Sequence, residues 1–186
     1  RGWTDTRLWR EQPDRFARGI GFEQGVEKPG HLRDLAVSRN AFVWDATDSA
    51  WRTKVVKELG PNALIFGWGR DEYGWVSDLS RGGATGVPAD WSLNLSALQH
   101  WKVGLRKPEP RQVPKPKTPH RTIAFVMSDG DNIQWLGGGF ALDKRYWASP
   151  RRGRFPMTWG VSAVLADIAP PILERLYRTA TPNDDF

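Results

Sequence analysis

Short apolar runs alternate with stretches of helical spacing along this chain, and this alternation constrains its fold more than any other feature. The apolar runs predict strands at residues 40–45, 63–69, 86–91, 122–127 and 156–161. Helical spacing predicts helices at residues 51–59, 71–79, 94–101, 133–136 and 163–177, the last interrupted or initiated at Pro170 and Pro171. Strands that alternate with helices favour parallel pairing. We therefore predict an α/β fold with a mainly parallel sheet, arranged as a distorted or incomplete (β/α) barrel.

Two segments lack this alternation. Residues 1–30 mix aromatic and charged side chains without a clear period, which predicts a loop with one helical turn at most. Residues 107–119 are rich in proline and lysine, which indicates an extended surface loop within the domain rather than a domain boundary. Ser49 lies two residues before the first predicted helix and is expected to be its N-cap.

Length and composition narrow the class of protein. A chain of 186 residues can build one domain with a sizeable core, so we expect a single α/β catalytic-like domain over residues 1–186. The chain begins at Arg1 without an initiator methionine, which indicates a fragment of a longer protein. The absence of cysteine excludes disulfides and thiolate nucleophiles. No apolar run is long enough to predict a membrane span. The net charge of +6 does not by itself indicate a binding partner. The sequence leaves the oligomeric state open.

Acidic residues follow four successive predicted strands, and parallel α/β sheets carry their reactive groups beyond such strand ends. These residues are Asp45, Asp48, Asp71, Asp90, Asp129 and Asp131. Aspartate after a strand is also a common helix N-cap or turn residue, and we favour that structural role for Asp45, Asp48 and Asp71. For residues 128–132 we favour a functional role, because a tight turn alone does not require two aspartates, an asparagine and a glycine.

Paired carboxylates point to glycoside hydrolysis, in which one group is the acid and the other is the base or nucleophile. Asp129 and Asp131 are the leading catalytic candidates, with Asp90 as a partner from a neighbouring strand. The same two aspartates would be the ligands of a divalent cation, Ca²⁺ or Mg²⁺, since both ions prefer oxygen ligands. The segment does not match an EF-hand, and the three histidines lack the spacing of a zinc site.

Amide and indole side chains near these strand ends are candidates for binding sugar. Asn132 and Asn94 are expected to orient sugar hydroxyl groups. Tryptophan stacks on the apolar faces of sugar rings, and the chain contains 11 of these residues. We expect stacking by Trp91, Trp135 and Trp159, with a core role left open for each.

Other classes of enzyme and binding protein lack their motifs in this chain. There is no phosphate-binding loop, no dinucleotide-binding fingerprint and no Gly-x-Ser-x-Gly sequence typical of serine hydrolases. A basic cluster at Arg145, Arg151, Arg152 and Arg154 is more typical of a solvated loop than of a nucleic-acid site. We therefore expect no nucleic-acid partner and no nucleotide cofactor.

Three internal segments resemble motifs of the GxGYxYP family, large and mainly bacterial proteins that are named as glycoside hydrolases. They are VMSDGDNIQ at 126–134, ADWSLNLS at 89–96 and FPMTWGVS at 155–162. The closing ATPNDDF at 180–186 is similar to the segment before the family's Gly-x-Gly-Tyr-x-Tyr-Pro sequence, which this chain does not contain. The resemblance extends from about Arg33 onward. It implies a carbohydrate-active hydrolase with a carbohydrate substrate, located in the extracellular space or the periplasm.

Two alternatives stay open at this point. One is a glycan-binding module without turnover, in which the same aspartates accept hydrogen bonds or hold a structural cation. The other is a metal-dependent sugar esterase or deacetylase with Asp129 and Asp131 as metal ligands. The lack of paired histidines weighs against the second alternative.

Overall fold

The computed structural model describes residues 2–28, 30–45, 48–89, 91–109, 111–112, 117–118 and 121–186. The chain divides into two compact units, Arg1–Ser96 and Ala97–Phe186, and each is described by itself. The expected single catalytic-like domain over residues 1–186 stays a prediction. The strands of both units pair in parallel, which confirms the predicted α/β fold with mainly parallel sheets.

The first unit is built on a four-stranded sheet. Its strands are β1 (Ile20–Gln24), β2 (Phe42–Asp45), β3 (Leu64–Gly67) and β4 (Thr85–Pro88), in the order β2-β1-β3-β4. Its helices are α1 (Asp5–Glu11), α2 (Arg33–Ser38), α3 (Ser49–Leu59), α4 (Glu72–Arg81) and α5 (Leu95–Leu98), with a 3₁₀ turn at Pro13–Arg15. The helices and strands predicted between residues 40 and 101 are all present, with most of them shorter than expected.

The interior strand β1 was not predicted, and residues 1–30 do not form the expected loop. Two residues break the apolar pattern of this strand. Gly21 leaves room for a neighbouring ring, since a Cβ there would lie 2.6 Å from the Trp44 side chain. Glu23 is only 1% exposed although it is charged, because Arg52 binds it. Both reasons depend on residues that are distant in sequence, so local patterning could not reveal them.

One face of this sheet packs against α3 and α4 in an aromatic core. The buried members of this core are Trp9, Phe42, Trp44, Trp51, Val55, Val56, Leu59, Ala63, Ile65, Trp75 and Leu79. Six of these residues come from α3 and α4, and Trp9 comes from α1. Phe42 and Trp44 occupy alternate positions of β2, which is the pattern that brings side chains to one face of a sheet. Much of the tryptophan content of this unit therefore serves packing.

Aspartates cap the two helices that pack on this face. The carboxylate of Asp48 accepts a hydrogen bond from the N–H of Ala50 at 2.8 Å, so Asp48 and not Ser49 is the N-cap of α3. Asp71 accepts from the N–H of Gly74 at 2.7 Å and caps α4, as we expected. A carboxylate suits these positions because it satisfies free N–H groups and interacts favourably with the helix dipole.

A buried ion network joins β1 to α3 and α4. The Arg52 guanidinium donates to Glu23 Oε2 at 2.8 Å and to Asp78 Oδ2 at 2.7 Å, and Ser49 Oγ donates to the same Asp78 oxygen at 2.5 Å. Burial opposes the charge of Asp78, but the hydrogen bonds from Ser49 and Arg52 outweigh it and hold the pKa of Asp78 below its usual range. Burial likewise opposes the charge of Arg52, and hydrogen bonds to both carboxylates raise its pKa.

The second unit contains a three-stranded sheet. Its strands are β5 (Val126–Met127), β6 (Met157–Trp159) and β7 (Asp184–Asp185), in the order β5-β6-β7. Its helices are α6 (Ile133–Trp135), α7 (Leu165–Ile168) and α8 (Pro170–Thr179), with a π-helical turn at Leu136–Phe140. The predicted helix at 163–177 is divided before Pro170, because proline begins a helix readily but cannot donate within one.

The segment 107–119 contains no helix or strand at its described positions, 107–109, 111–112 and 117–118. Its basic side chains bind the C-terminal residues: Lys107 Nζ donates to the Phe186 carbonyl oxygen at 2.6 Å, and Arg111 donates to Asn183 Oδ1 at 2.7 Å. Neither sheet closes into a barrel over the described ranges, so the barrel-like arrangement stays a prediction. In the same ranges, no helix is both long enough and apolar enough to cross a membrane.

Candidate active site

The carboxylate loop, residues 128–132, lies directly after the carboxyl end of β5 in the second unit. Backbone hydrogen bonds hold it against the segment that follows β6. The N–H of Gly160 donates to the Met127 carbonyl oxygen at 2.9 Å, and the N–H of Ser162 donates to the Gly130 carbonyl oxygen at 2.7 Å. The loop is therefore tied to the neighbouring strand end at two points.

The Asp-Gly order in this loop has a steric reason. Asp129 adopts a φ of 50°, in the left-handed region that aspartate tolerates better than most residues. A Cβ on Gly130 would overlap the carbonyl oxygen of Gly160. Glycine at position 130 thus allows the close approach of the two segments, and this approach fixes where the flanking carboxylates lie.

Both carboxylates of the loop are exposed to solvent. Asp129 and Asp131 line an open cavity of about 480 Å³, together with residues 128, 130 and 160–162. Asn132 is half-buried, and its Oδ1 accepts a hydrogen bond from Gln134 Nε2 at 3.1 Å. The loop can therefore present two carboxylates to a molecule in the cavity, with an oriented amide beside them.

The two tryptophans predicted for this unit differ in their surroundings. Trp135 is half-buried, and its ring centroid lies 5.0 Å from that of Tyr146. Trp159 is 5% exposed, its ring packs edge-on against Trp147, and its Nε1 donates to Asp184 Oδ1 at 2.8 Å. Of the two roles left open for Trp159, this packing favours the core role.

The other candidates belong to the first unit, after β4. Trp91 is 59% exposed, which leaves its ring accessible to a ligand. Asn94 is exposed and has a φ of 60°, a conformation that asparagine adopts readily. Asp90 lies outside the described residues. Because the two units are described separately, the expected convergence of these residues with Asp129 and Asp131 stays a prediction.

Arg152 and Asp184 form a buried ion pair that the sequence did not reveal. Arg152 donates to Asp184 Oδ2, and its guanidinium lies 4.1 Å from the centroid of the Trp147 ring. Asp184 also accepts from the N–H of Thr181 at 2.8 Å. This pair links β7 to the segment that precedes β6, and the nearest signal in the sequence was the basic cluster to which Arg152 belongs.

A second member of the basic cluster is also paired within the chain. Arg145 donates to Asp143 at 2.6 Å, and the hydrogen bonds from Arg145 hold the pKa of Asp143 below its usual range. Internal pairing of this kind leaves less positive charge to bind a phosphate backbone. Arg145 and Arg152 are thus both paired within the chain, and the absence of a nucleic-acid partner stays a prediction.

The acidic residues of the described ranges do not assemble into a metal centre with three or more histidine, aspartate or glutamate side chains. Asp129 and Asp131 are the two carboxylates that a cation would use in this unit, and Ca²⁺ takes six to eight oxygen ligands. Further ligands would have to come from backbone oxygens, water or substrate.

The fold and the site define a class: a parallel α/β protein with candidate reactive groups beyond the carboxyl ends of its strands. Comparison with family models is more specific. The GxGYxYP third domain matches residues 19–100, and the GxGYxYP putative glycoside hydrolase C-terminal domain matches residues 120–186. The chain belongs to the GxGYxYP family, as the sequence motifs indicated.

A solved structure shares this fold. It is the crystal structure of a putative hydrolase from Bacteroides thetaiotaomicron, with a TM-score of 0.83 and 28% identity over 100% of this chain. The chain spans 37% of the length of that protein. A search of curated proteins gives no match. The family and the solved structure are thus both named as hydrolases.

Proposed function

We propose that this chain supplies the carboxylate loop of an active site that hydrolyses glycosidic bonds, with Asp129 and Asp131 as the reacting groups. The geometry of the carboxylate loop is the main support for this proposal. It places two exposed carboxylates beside an open cavity on a backbone that is tied to the next strand end. The names of the family and of the solved structure support hydrolysis as the reaction class.

The chemistry requires two carboxyl groups with different roles. One donates a proton to the glycosidic oxygen as the bond to the anomeric carbon breaks. The other either attacks the anomeric carbon or removes a proton from the water that does so. Water finally supplies the hydroxyl of one product and the proton of the other. We propose Asp90 as a third carboxylate, and an extracellular or periplasmic location for the reaction.

The sugar would be held by neutral side chains near these carboxylates. We propose that Asn132 and Asn94 bind hydroxyl groups and that Trp91 and Trp135 stack on sugar rings. The exposure of Trp91 and the half-buried position of Trp135 support this assignment. A carbohydrate is therefore the proposed substrate.

Carboxylate-to-amide variants test this proposal in the full-length protein. A panel of polysaccharides identifies a substrate, and turnover is then compared for wild type, Asp129→Asn and Asp131→Asn. We expect turnover to fall by about 10²- to 10⁴-fold in each variant, the range for loss of a proton-transfer group. Asp167→Asn is the matched control, because Asp167 is an exposed aspartate of α7 outside the cavity.

Each other outcome contradicts the proposal in a distinct way. Wild-type turnover in both amide variants would remove the two aspartates from the reaction. Glycan binding by wild type without product from any substrate would replace hydrolysis with the binding-module alternative. Activity on sugar esters or N-acetyl groups that a chelator abolishes would make Asp129 and Asp131 metal ligands of an esterase or deacetylase.

A further inference from the structure

A second cavity, of about 720 Å³, opens in the first unit beside the edge strand β2. Its walls come from β1, β2, α2 and the loop that follows β1. It shares no residue with the cavity at Asp129 and Asp131. Small-molecule sites typically have volumes of about 300–1,000 Å³, and this cavity falls within that range.

Buried polar atoms without partners are concentrated around this cavity. Four such side-chain atoms belong to residues that line this cavity. The four atoms are Gln24 Nε2, His31 Nδ1, Trp44 Nε1 and Asp45 Oδ1. Buried polar groups in folded proteins are nearly always hydrogen-bonded. These four atoms therefore have hydrogen-bonding capacity for water or for a ligand that enters the cavity.

Two of these residues are neighbours across the sheet. Gln24 ends β1, Asp45 ends β2, and the two are paired in the parallel register. Adjacent strands lie about 4.8 Å apart, so the two side chains emerge side by side from the same face. Asp45 is not the cap of α3, because Asp48 has that role. Its backbone N–H donates to Asp5 Oδ2 at 3.0 Å, which fixes the strand end.

The unpartnered groups have mixed hydrogen-bonding character. The Gln24 amide is a donor, and the Asp45 carboxylate is an acceptor. A hydroxyl group both donates and accepts, so a molecule with several hydroxyls can satisfy both. Apolar side chains complete the walls, and they include Phe16, Phe22, Ala36, Val37 and Val43. A pyranose ring combines hydroxyl groups with an apolar C–H face, which matches this lining.

We propose that this cavity is a binding site for a neutral saccharide unit, held by Gln24 and Asp45. The lining contains the carboxylates of Asp45 and Asp5 and the guanidinium of Arg33, so its formal charge is negative and disfavours an anionic sugar. The site goes beyond the proposed hydrolysis, because it lies in the first unit and requires no reaction. It would give the protein a second contact with a glycan, separate from the carboxylate loop.

Calorimetric titration of the full-length protein tests this site. The probes are the methyl glycosides of glucose, galactose, mannose and N-acetylglucosamine, with glucuronic acid as the anionic comparison. Asp45→Asn and Gln24→Met each remove one polar contact while nearly keeping side-chain size. We expect Kd for the best neutral glycoside to rise at least about tenfold in either variant. Asp48→Asn is the control, because asparagine also caps helices and position 48 is outside the cavity. The Kd of this variant for the same glycoside should stay within about twofold of the wild-type value.

A second measurement separates this site from the carboxylate loop. The Asp129→Asn/Asp131→Asn double variant should bind the same glycoside as wild type does, whether or not the wild type hydrolyses glycans. The side-chain amide signals of Gln24 should shift in NMR spectra when the glycoside is added. The proposal is overturned if no neutral glycoside binds, if both cavity variants bind as wild type does, or if only the double variant loses binding.

Discussion

Replacement of Arg52 with methionine should strongly destabilise the first unit, because it removes the cation between two buried carboxylates. Arg52 is 6% exposed, and Glu23 and Asp78 are 1% and 6% exposed. Four hydrogen bonds link the guanidinium to these carboxylates, at 2.7 to 2.9 Å. Methionine keeps much of the aliphatic stem, so the change mainly removes charge and hydrogen bonds.

The expected size of the effect follows from the burial of this network. Loss of one partner from a buried ion pair costs about 3–5 kcal/mol, since it leaves an uncompensated charge inside the protein. In a chain of this length each kcal/mol lowers the melting temperature by about 2–4 °C. We therefore expect the free energy of unfolding to fall by about 3–5 kcal/mol and the melting temperature to fall by roughly 6–20 °C.

The loss of stability in the Arg52 variant should also depend on pH, in a direction that follows from the pKa of Asp78. The pKa of Asp78 is held below its usual value in the folded state. Its contribution to stability is therefore present above about pH 4 and is lost as the pH falls through the folded pKa. Without Arg52 the buried Asp78 carboxylate is penalised, and the variant gains stability as acid protonates it. The difference between wild type and variant should be largest at neutral pH and should shrink toward pH 4.

Urea unfolding followed by tryptophan fluorescence, repeated between about pH 4 and pH 8, measures both effects. Arg81→Met is the matched control, because Arg81 also contacts Asp78, at 3.2 Å, but its side chain is 73% exposed. An exposed pair of this kind contributes about 0–1 kcal/mol. Equal losses in the two variants, or a gap that does not change with pH, would refute the argument that burial of the network sets its strength.

Two further substitutions probe the second unit. Gly130→Ala should displace the carboxylate loop and lower hydrolytic turnover at least about tenfold. Gly104→Ala should keep wild-type turnover, because a Cβ at that position meets nothing within 4 Å. Equal turnover of the two variants in kinetic assays would contradict the steric argument. Trp159→Phe should lower the free energy of unfolding by about 1–3 kcal/mol, since it leaves Asp184 without its indole donor. Trp91→Phe, at an exposed ring, should leave stability within about 0.5 kcal/mol in the same urea titrations.

The sequence was informative where local chemistry determines structure. Helices α3 and α4 were predicted because apolar spacing, a preceding polar residue and a closing glycine all occur within a few residues of one another. The carboxylate loop was located for the same kind of reason, since two aspartates and a glycine follow an apolar run. The helix divided at Pro170 also follows from a property of one residue.

The remaining features depend on contacts between distant residues. Strand β1 was missed because Glu23 looks like a surface residue until Arg52, which is 29 positions away, is placed beside it. The core position of Trp159 depends on Trp147 and Asp184 in the same way. The cavity at Gln24 and Asp45 exists only once β1 is paired with β2. Local patterning carries no information on such pairings.

The central claim is that Asp129 and Asp131 carry out hydrolysis, and chemical rescue tests it most directly. The carboxylates are replaced in Asp129→Ala and Asp131→Ala, and turnover of an identified glycan substrate is measured with and without added azide. We expect both variants to lose turnover by about 10²-fold or more, and azide to restore part of it in at least one variant by replacing the missing carboxylate. Wild-type rates in both alanine variants without azide would contradict the claim.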